Sequence, residues 1–240
     1  LEEVRAARER IAPLAHRTPV LTSNSLTQMC GARLFFKCEN FQRTGSFKIR
    51  GASNAVLALT PEQARRGVVT HSSGNHASAL AFAARHRGIP ATIVVPKDAP
   101  LVKREMVVGF GGVVHLCEPT LESRQATVAT IQAQTGAMLI HPYNDPAVIA
   151  GQGTAALELL EEFADLDGVI APVSGGGLLS GTAIAAKSLR PVIEEIENLV
   201  TEIEACGGQF KGLDLGLVDF PAEINGEAAF DYSGHSVSSA

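Results

Sequence analysis

Gly67-Val68-Val69-Thr70-His71-Ser72-Ser73-Gly74-Asn75-His76-Ala77 sets a short apolar run, a polar loop and the start of an alanine-rich segment in immediate succession. Gly67 to Thr70 reads as a buried strand and Ala77 to Arg87 as a helix ended by Gly88. The pattern then repeats. Ala91 to Val95 is extended, Leu101 to Phe110 helical, Val113 to Leu116 extended, Leu121 to Thr135 helical and Ala137 to Ile140 extended; Thr154 to Phe163 is helical and Val169 to Val173 extended. Short apolar strands alternating with helices of about ten to fifteen residues are the pattern of right-handed parallel units, so the fold class is α/β with open parallel sheets and helices on both faces. Upstream, Leu1 to Ala12 reads as a helix, and Thr18-Pro19 leads by an extended approach to a strand over Arg33 to Cys38. Ser46-Phe47-Lys48-Ile49-Arg50-Gly51-Ala52 then starts a helix. Ser46 is suited to cap it, and Ile49, Ala52, Val56 and Leu59 recur at helical spacing.

Composition removes several classes of function. The chain has 240 residues, enough for one large domain or two small ones, and a formal charge of -5 with both signs dispersed. No basic run marks a nucleic acid or a membrane surface, and no apolar stretch reaches membrane-spanning length. Cys30, Cys38, Cys117 and Cys206 are scattered without metal-ligand spacing, as expected of reduced thiols in a cytoplasmic protein. The chain opens on Leu1, so its true N-terminus is expected to lie upstream.

In sheets of this kind ligands sit beyond the carboxyl ends of the strands. Three loops take that place. The first carries Lys48 in the first turn of its helix, where the dipole disfavours a cation and Phe47 helps desolvate it. Such a lysine can form a Schiff base with a carbonyl, although the heptapeptide alone better fits a solvated lysine on an amphipathic helix. In the second, Ser72-Ser73-Gly74-Asn75-His76, two hydroxyls, an amide and an imidazole surround a glycine and could grip a carboxylate and a ring oxygen; an ordinary helix cap is the plainer alternative. The third, Ser174-Gly175-Gly176-Gly177-Leu178, lets backbone N–H groups turn toward a phosphate at the start of a helix over Leu179 to Ser188. Nucleotide loops fit poorly. Gly176 and Gly181 have P-loop spacing, but Thr182-Ala183 follow where Lys and Ser or Thr are needed, and the third glycine of a dinucleotide fingerprint would fall on Ser180. The glycines could also serve only a tight turn.

In this order the three loops resemble the serine/threonine dehydratase and serine racemase group of enzymes dependent on pyridoxal 5'-phosphate (PLP), the fold-type II class with a tryptophan synthase β-like fold. The resemblance runs from about Val4 to Pro191. It includes Thr18-Pro19-Val20, Phe36-Lys37-Cys38-Glu39-Asn40, Glu118-Pro119, His141-Pro142-Tyr143 and Ile149-Ala150-Gly151-Gln152-Gly153-Thr154. It implies that Lys48 holds PLP covalently and acts as base at the substrate α-carbon, with Phe47 against the cofactor ring and Asn75 on its phenolic oxygen. Ser72, Asn75 and His76 would hold the substrate carboxylate, and Ser73 would stand on the opposite face as a second acid/base. Ser174, Gly175, Gly176, Gly177 and Leu178 would bind the phosphate. The implied activity is ammonia-lyase (dehydratase) or racemase chemistry on serine, threonine or a similar hydroxy amino acid, in a homodimer. A β-replacement enzyme of the cysteine-synthase kind fits less well, because that group typically reads Thr-Ser-Gly-Asn-Thr at the carboxylate loop.

Turn residues near Gly67 and Asn144 suggest domains over 1–66 with 145–191 and over 67–144, and the resemblance covers both. It does not extend to 192–240, where Val192 to Cys206 reads as an acidic amphipathic helix and Leu213 to Phe220 with Ala228 to Tyr232 as a hairpin about Asn225-Gly226. The family's partner for the pyridine nitrogen, its cover for the ring and its acidic ligands for a divalent cation have no recognisable counterpart there. The catalytic domain is therefore expected to be C-terminally incomplete, and a catalytically inactive PLP-binding or interaction module is the alternative function.

Overall fold

The computed structural model describes residues 1–191 together with the pairs Glu223–Ile224 and Glu227–Ala228. The chain begins with helix α1 (Glu2–Ile11), then β1 (Val20–Thr22), α2 (Asn24–Cys30), β2 (Phe35–Lys37) and a 3-10 turn over Glu39–Phe41. Helices α3 (Lys48–Ala58) and α4 (Pro61–Arg66) follow, and the regular alternation starts there: β3 (Val68–His71), α5 (Asn75–Arg87), β4 (Ala91–Pro96), α6 (Leu101–Gly109), β5 (Val113–Cys117), α7 (Leu121–Thr135) and β6 (Met138–Leu139). Two long helices, α8 (Pro146–Glu162) and α9 (Gly177–Leu189), close the described part.

Strands β3 to β6 form one parallel sheet in the order β5-β4-β3-β6, so each connection crosses over through a helix. Its apolar residues meet the helices on both sides. Val68, Ile93 and Val95 share a cluster with Ile49, Ala52 and Val56 of α3 and Leu80 of α5, while Val69 and Val94 face Val128 and Ile131 of α7. The first of these clusters crosses residue 66, where the sequence suggests a domain boundary, so α3 and the sheet share one core.

Several expectations change. Val169 to Val173 is not a strand, and the sheet near the N-terminus is the antiparallel pair β1–β2. A strand needs a neighbour for its backbone groups, and none pairs with Val169 to Val173 among the described residues; Val169 packs on Leu159, Leu160 and Leu179 while Ile170 is 59% exposed. Helix α8 starts eight residues before Thr154, because Asp145 caps it by accepting from the N–H groups of Ala147 (2.8 Å) and Val148 (3.1 Å), and Pro146 takes the first position. Ser46 does not cap α3. Phe47 occupies that position in helical conformation, and the Ser46 hydroxyl is buried without a partner. The expected helix over Val192 to Cys206 and strand over Leu213 to Phe220 lie outside the described residues; Glu223–Ile224 pairs antiparallel with Glu227–Ala228.

What positions the loops is α8. A Cβ on Gly151 would lie 2.6 Å from the Gly51 Cα of α3, and one on Gly153 would lie 2.6 Å from the Gly181 carbonyl oxygen of α9. Two close helix crossings therefore hang α3 and α9 on one strut, and both require hydrogen in place of a side chain. A buried ion cluster locks the first crossing. The Arg50 guanidinium, 0% exposed, forms paired hydrogen bonds to Glu39 (2.7 and 2.8 Å) and to Glu158 (2.7 and 2.9 Å), and Lys37 adds a contact to Glu158 at 2.7 Å. Burial opposes the arginine's charge, but the bonds to Glu39 and Glu158 outweigh it and hold the guanidinium above its ordinary pKa.

Candidate active site

Lys48 is the first residue of α3, and its Nζ donates to the Pro142 carbonyl oxygen at 2.9 Å, 5.2 Å from the centre of the Phe47 ring. The side chain is half-buried, and desolvation holds its pKa below the ordinary lysine value. An amine so placed spends more of its time neutral at a given pH, which is the nucleophilic form.

The serine-rich loop leaves β3 and enters α5. The Ser72 hydroxyl accepts from the Gly74 N–H at 3.3 Å; Ser73 is half-buried and Asn75 exposed. His76 points inward, 2% exposed, with Nε2 at 3.3 Å from the Ile140 carbonyl oxygen and Nδ1 unpartnered. Burial, then the nearby Lys48 charge, pull its pKa down to about 3, against a smaller opposing effect from Ile140. His76 is thus a neutral imidazole close to Lys48, buried where Ser72 of the same loop is half-buried and Asn75 exposed.

The glycine loop turns at Gly176 (φ +86°), and α9 begins within the glycine run at Gly177 rather than at Leu179. A Cβ on Gly175 would lie 2.1 Å from the Tyr143 ring, and one on Gly177 would lie 2.9 Å from the Tyr143 carbonyl oxygen. None of the helices starting at the three loops, α3, α5 and α9, has a side-chain cap, whereas α2, α4, α7 and α8 are capped by Ser23, Thr60, Thr120 and Asp145. Helices α1 and α6 are also uncapped, so the absence matters only because it coincides with three convergent loops. It leaves first-turn N–H groups available to an anionic ligand.

The convergence runs through residues 141 to 143, which the sequence marked without assigning a task. The His141 ring meets the His71 ring edge-on at 5.4 Å, at the mouth of the serine loop. Pro142 accepts from Lys48, and Tyr143 lies on the glycine loop. A cleft of about 320 Å³ opens beside Phe47 and is bounded by Asn40, Ala155, Leu178 and Thr182, joining the lysine side of the site to the start of α9. A larger groove of about 550 Å³ lies between α6 and β5, remote in sequence from all three loops, and has a mostly apolar lining with no amine or imidazole. Among the described residues no three His, Cys, Asp or Glu side chains gather to hold a metal ion, and no helix is long and apolar enough to cross a membrane.

Comparison with known proteins places the chain in a family. Residues 11–213 match the family described as pyridoxal-phosphate dependent enzyme, a match that continues past Pro191. The chain is 50% identical over 217 residues to a beta-hydroxyaspartate dehydratase of Paracoccus denitrificans, covering 90% of this chain and 68% of that protein. It is 56% identical over 193 residues to a serine racemase of Arabidopsis thaliana, covering 80% of this chain and 58% of that protein. The structure of maize serine racemase superimposes with a TM-score of 0.81 at 47% identity, covering 92% of this chain and 66% of that one. The chain thus spans about two thirds or less of the length of these relatives.

Proposed function

Because the chain belongs to the family of pyridoxal-phosphate dependent enzymes, we propose that it acts on a small hydroxy amino acid such as serine, threonine or hydroxyaspartate, as an ammonia-lyase or a racemase. The observation that carries this reading is the 141–143 segment. It ties a partly desolvated lysine to a glycine loop at an uncapped helix start, with the serine-rich loop on its other side.

The residues present fit the cofactor. Lys48 supplies an amine with lowered pKa for covalent attachment, Phe47 a flat apolar face on the cleft, and Ser174 to Leu178 a run with no room for side chains at Gly175 and Gly177. When bound, PLP supplies the electron sink for charge developing at the α-carbon of the amino acid. The chain supplies the rest. Ser72 and Asn75, next to the buried His76, would hold the substrate carboxylate, and Asn75 would also hold the phenolic oxygen of the cofactor. Lys48 removes the α-proton from one side. Ser73 returns a proton from the other side, which inverts the centre; loss of the β-hydroxyl instead ends in a 2-oxo acid and ammonia.

A homodimer and a cytoplasmic location belong to the same proposal. The first is supported by the outer edge of β5, unpaired among the described residues, beside exposed Leu101, Val108 and Val113; sedimentation of the purified chain reads it. The second is supported by the free thiols of Cys30, Cys38 and Cys117.

The functional test adds PLP to the full chain, records the visible absorption band, and assays serine, threonine and hydroxyaspartate for ammonia, 2-oxo acid and enantiomer formation. A band with turnover on one of them is expected. A band without turnover would leave a cofactor-binding module, and sulfide-dependent consumption of an activated serine would favour β-replacement.

A further inference from the structure

The peptide plane between Pro142 and Tyr143 is held at both ends. Its carbonyl oxygen accepts from Lys48 Nζ at 2.9 Å, and its N–H faces His141 Nδ1 at 3.4 Å. The same Nδ1 accepts from the Asn144 N–H at 3.0 Å. In a trans peptide the N–H and C=O point in opposite directions, so a group that grips one end aims the other. Pro142 has a fixed φ and no N–H of its own, so its ψ, and hence its carbonyl direction, is set through the peptide that joins it to Tyr143. We propose that His141 is a positioning residue for Lys48: its unprotonated Nδ1 closes the turn over Tyr143 and Asn144 and thereby aims the Pro142 carbonyl at the lysine amine.

A ring nitrogen that accepts from two N–H groups carries no proton, so only one form of His141 does this. The surroundings favour that form. The ring is braced edge-on by His71 of β3 at 5.4 Å and by Tyr143 at 4.6 Å. Burial, then His71 and Lys48, hold its pKa below the ordinary imidazole value, opposed only by Asp145 at the start of α8. Burial and then Lys48 lower the pKa of His76 of α5 to about 3, and burial and then Arg124 of α7 lower that of His71. On acidification below the ordinary histidine range His141 gains a proton at Nδ1, which then faces two donors, and the turn opens. The significance for catalysis rests on the proposed attachment of the cofactor to Lys48, but the coupling itself belongs to the cofactor-free chain.

Competitive acetylation of the cofactor-free chain between pH 5 and 9, with each lysine followed by peptide mass spectrometry, tests it. His141→Asn keeps an acceptor near the Nδ1 position but cannot titrate; His141→Phe keeps the ring and loses the acceptor. Loss of the aimed carbonyl deprives the ammonium form of Lys48 of its hydrogen bond, so in His141→Phe Lys48 should label roughly tenfold faster at fixed pH than in the wild type, with other lysines unchanged. His141→Asn should match the wild type above pH 7 and lack the wild-type inflection below pH 6.5. Equal labelling in wild type and His141→Phe, a His141→Asn as altered as His141→Phe, or an inflection that persists in His141→Asn would each overturn the proposal. Should His141→Phe fail to fold by circular dichroism, the inflection in His141→Asn decides alone. With PLP added, the absorption band should weaken in His141→Phe and return in His141→Asn; a wild type with no band would defeat the cofactor reading while leaving the labelling result to judge His141.

Discussion

Ser73 and Lys48 are the two groups on which the proposed proton transfers depend, and they stand on different elements, Ser73 in the loop before α5 and Lys48 at the start of α3. Removing the Ser73 hydroxyl should therefore separate the two outcomes. In Ser73→Ala, enantiomer interconversion should fall about a hundredfold or more while ammonia release from the substrate that loses its proton to Lys48 falls much less; chiral chromatography beside an ammonia assay reads both. At this scale the sequence was informative where residue type alone restricts chemistry. A lysine between an aromatic residue and a helix, and three glycines before another helix, carry that information in their letters. Orientation is not legible: nothing in the sequence tells that His76 turns inward to Ile140, or that His141, Pro142 and Tyr143 join the three loops, because those contacts link residues far apart in the chain.

Among the elements, α8 has the largest structural task, since it meets α3 through Gly151 and α9 through Gly153. A methyl group at Gly181 would lie 2.3 Å from the Ile149 carbonyl oxygen and 2.5 Å from the Gly153 nitrogen, backbone atoms of α8 that cannot yield as a side chain would. Gly181→Ala should destabilise the fold by about 1–3 kcal/mol and move the glycine loop, seen as a lower denaturation midpoint and weaker PLP binding. Arg50→Met should cost more, about 3–5 kcal/mol, because it leaves Glu39 without its cation and Glu158 with Lys37 alone; urea denaturation measures it. The alternation of strands and helices from residue 67 to residue 140 was legible because hydrophobic period and turn residues agree there. The start of α8 is not legible, because Gly151 and Gly153 look like loop residues when their partners across the helix crossings are unknown. Val169 to Val173 looked like a strand because apolarity marks burial, whereas a strand also needs a neighbour.

Across the whole molecule the buried imidazoles set the response to acid. His76 has its pKa near 3 in the folded chain against an ordinary value of 6.5. Between these values the unfolded chain binds a proton that the folded one refuses, so the stability is complete above pH 6.5 and is lost as pH falls toward 3. The slope from this residue approaches about 1.4 kcal/mol per pH unit, and His71 and His141, also lowered mainly by burial, act in the same direction. Denaturation midpoints at pH 7 and pH 5 should show the loss, and His76→Asn should flatten it. Attachment of the cofactor at Lys48 is the claim on which the functional account stands, and borohydride reduction after incubation with PLP, followed by peptide mass mapping, tests it directly. The account predicts one stable adduct, on the peptide containing Lys48, absent from Lys48→Ala; an adduct on another lysine, or none at Lys48, would contradict it.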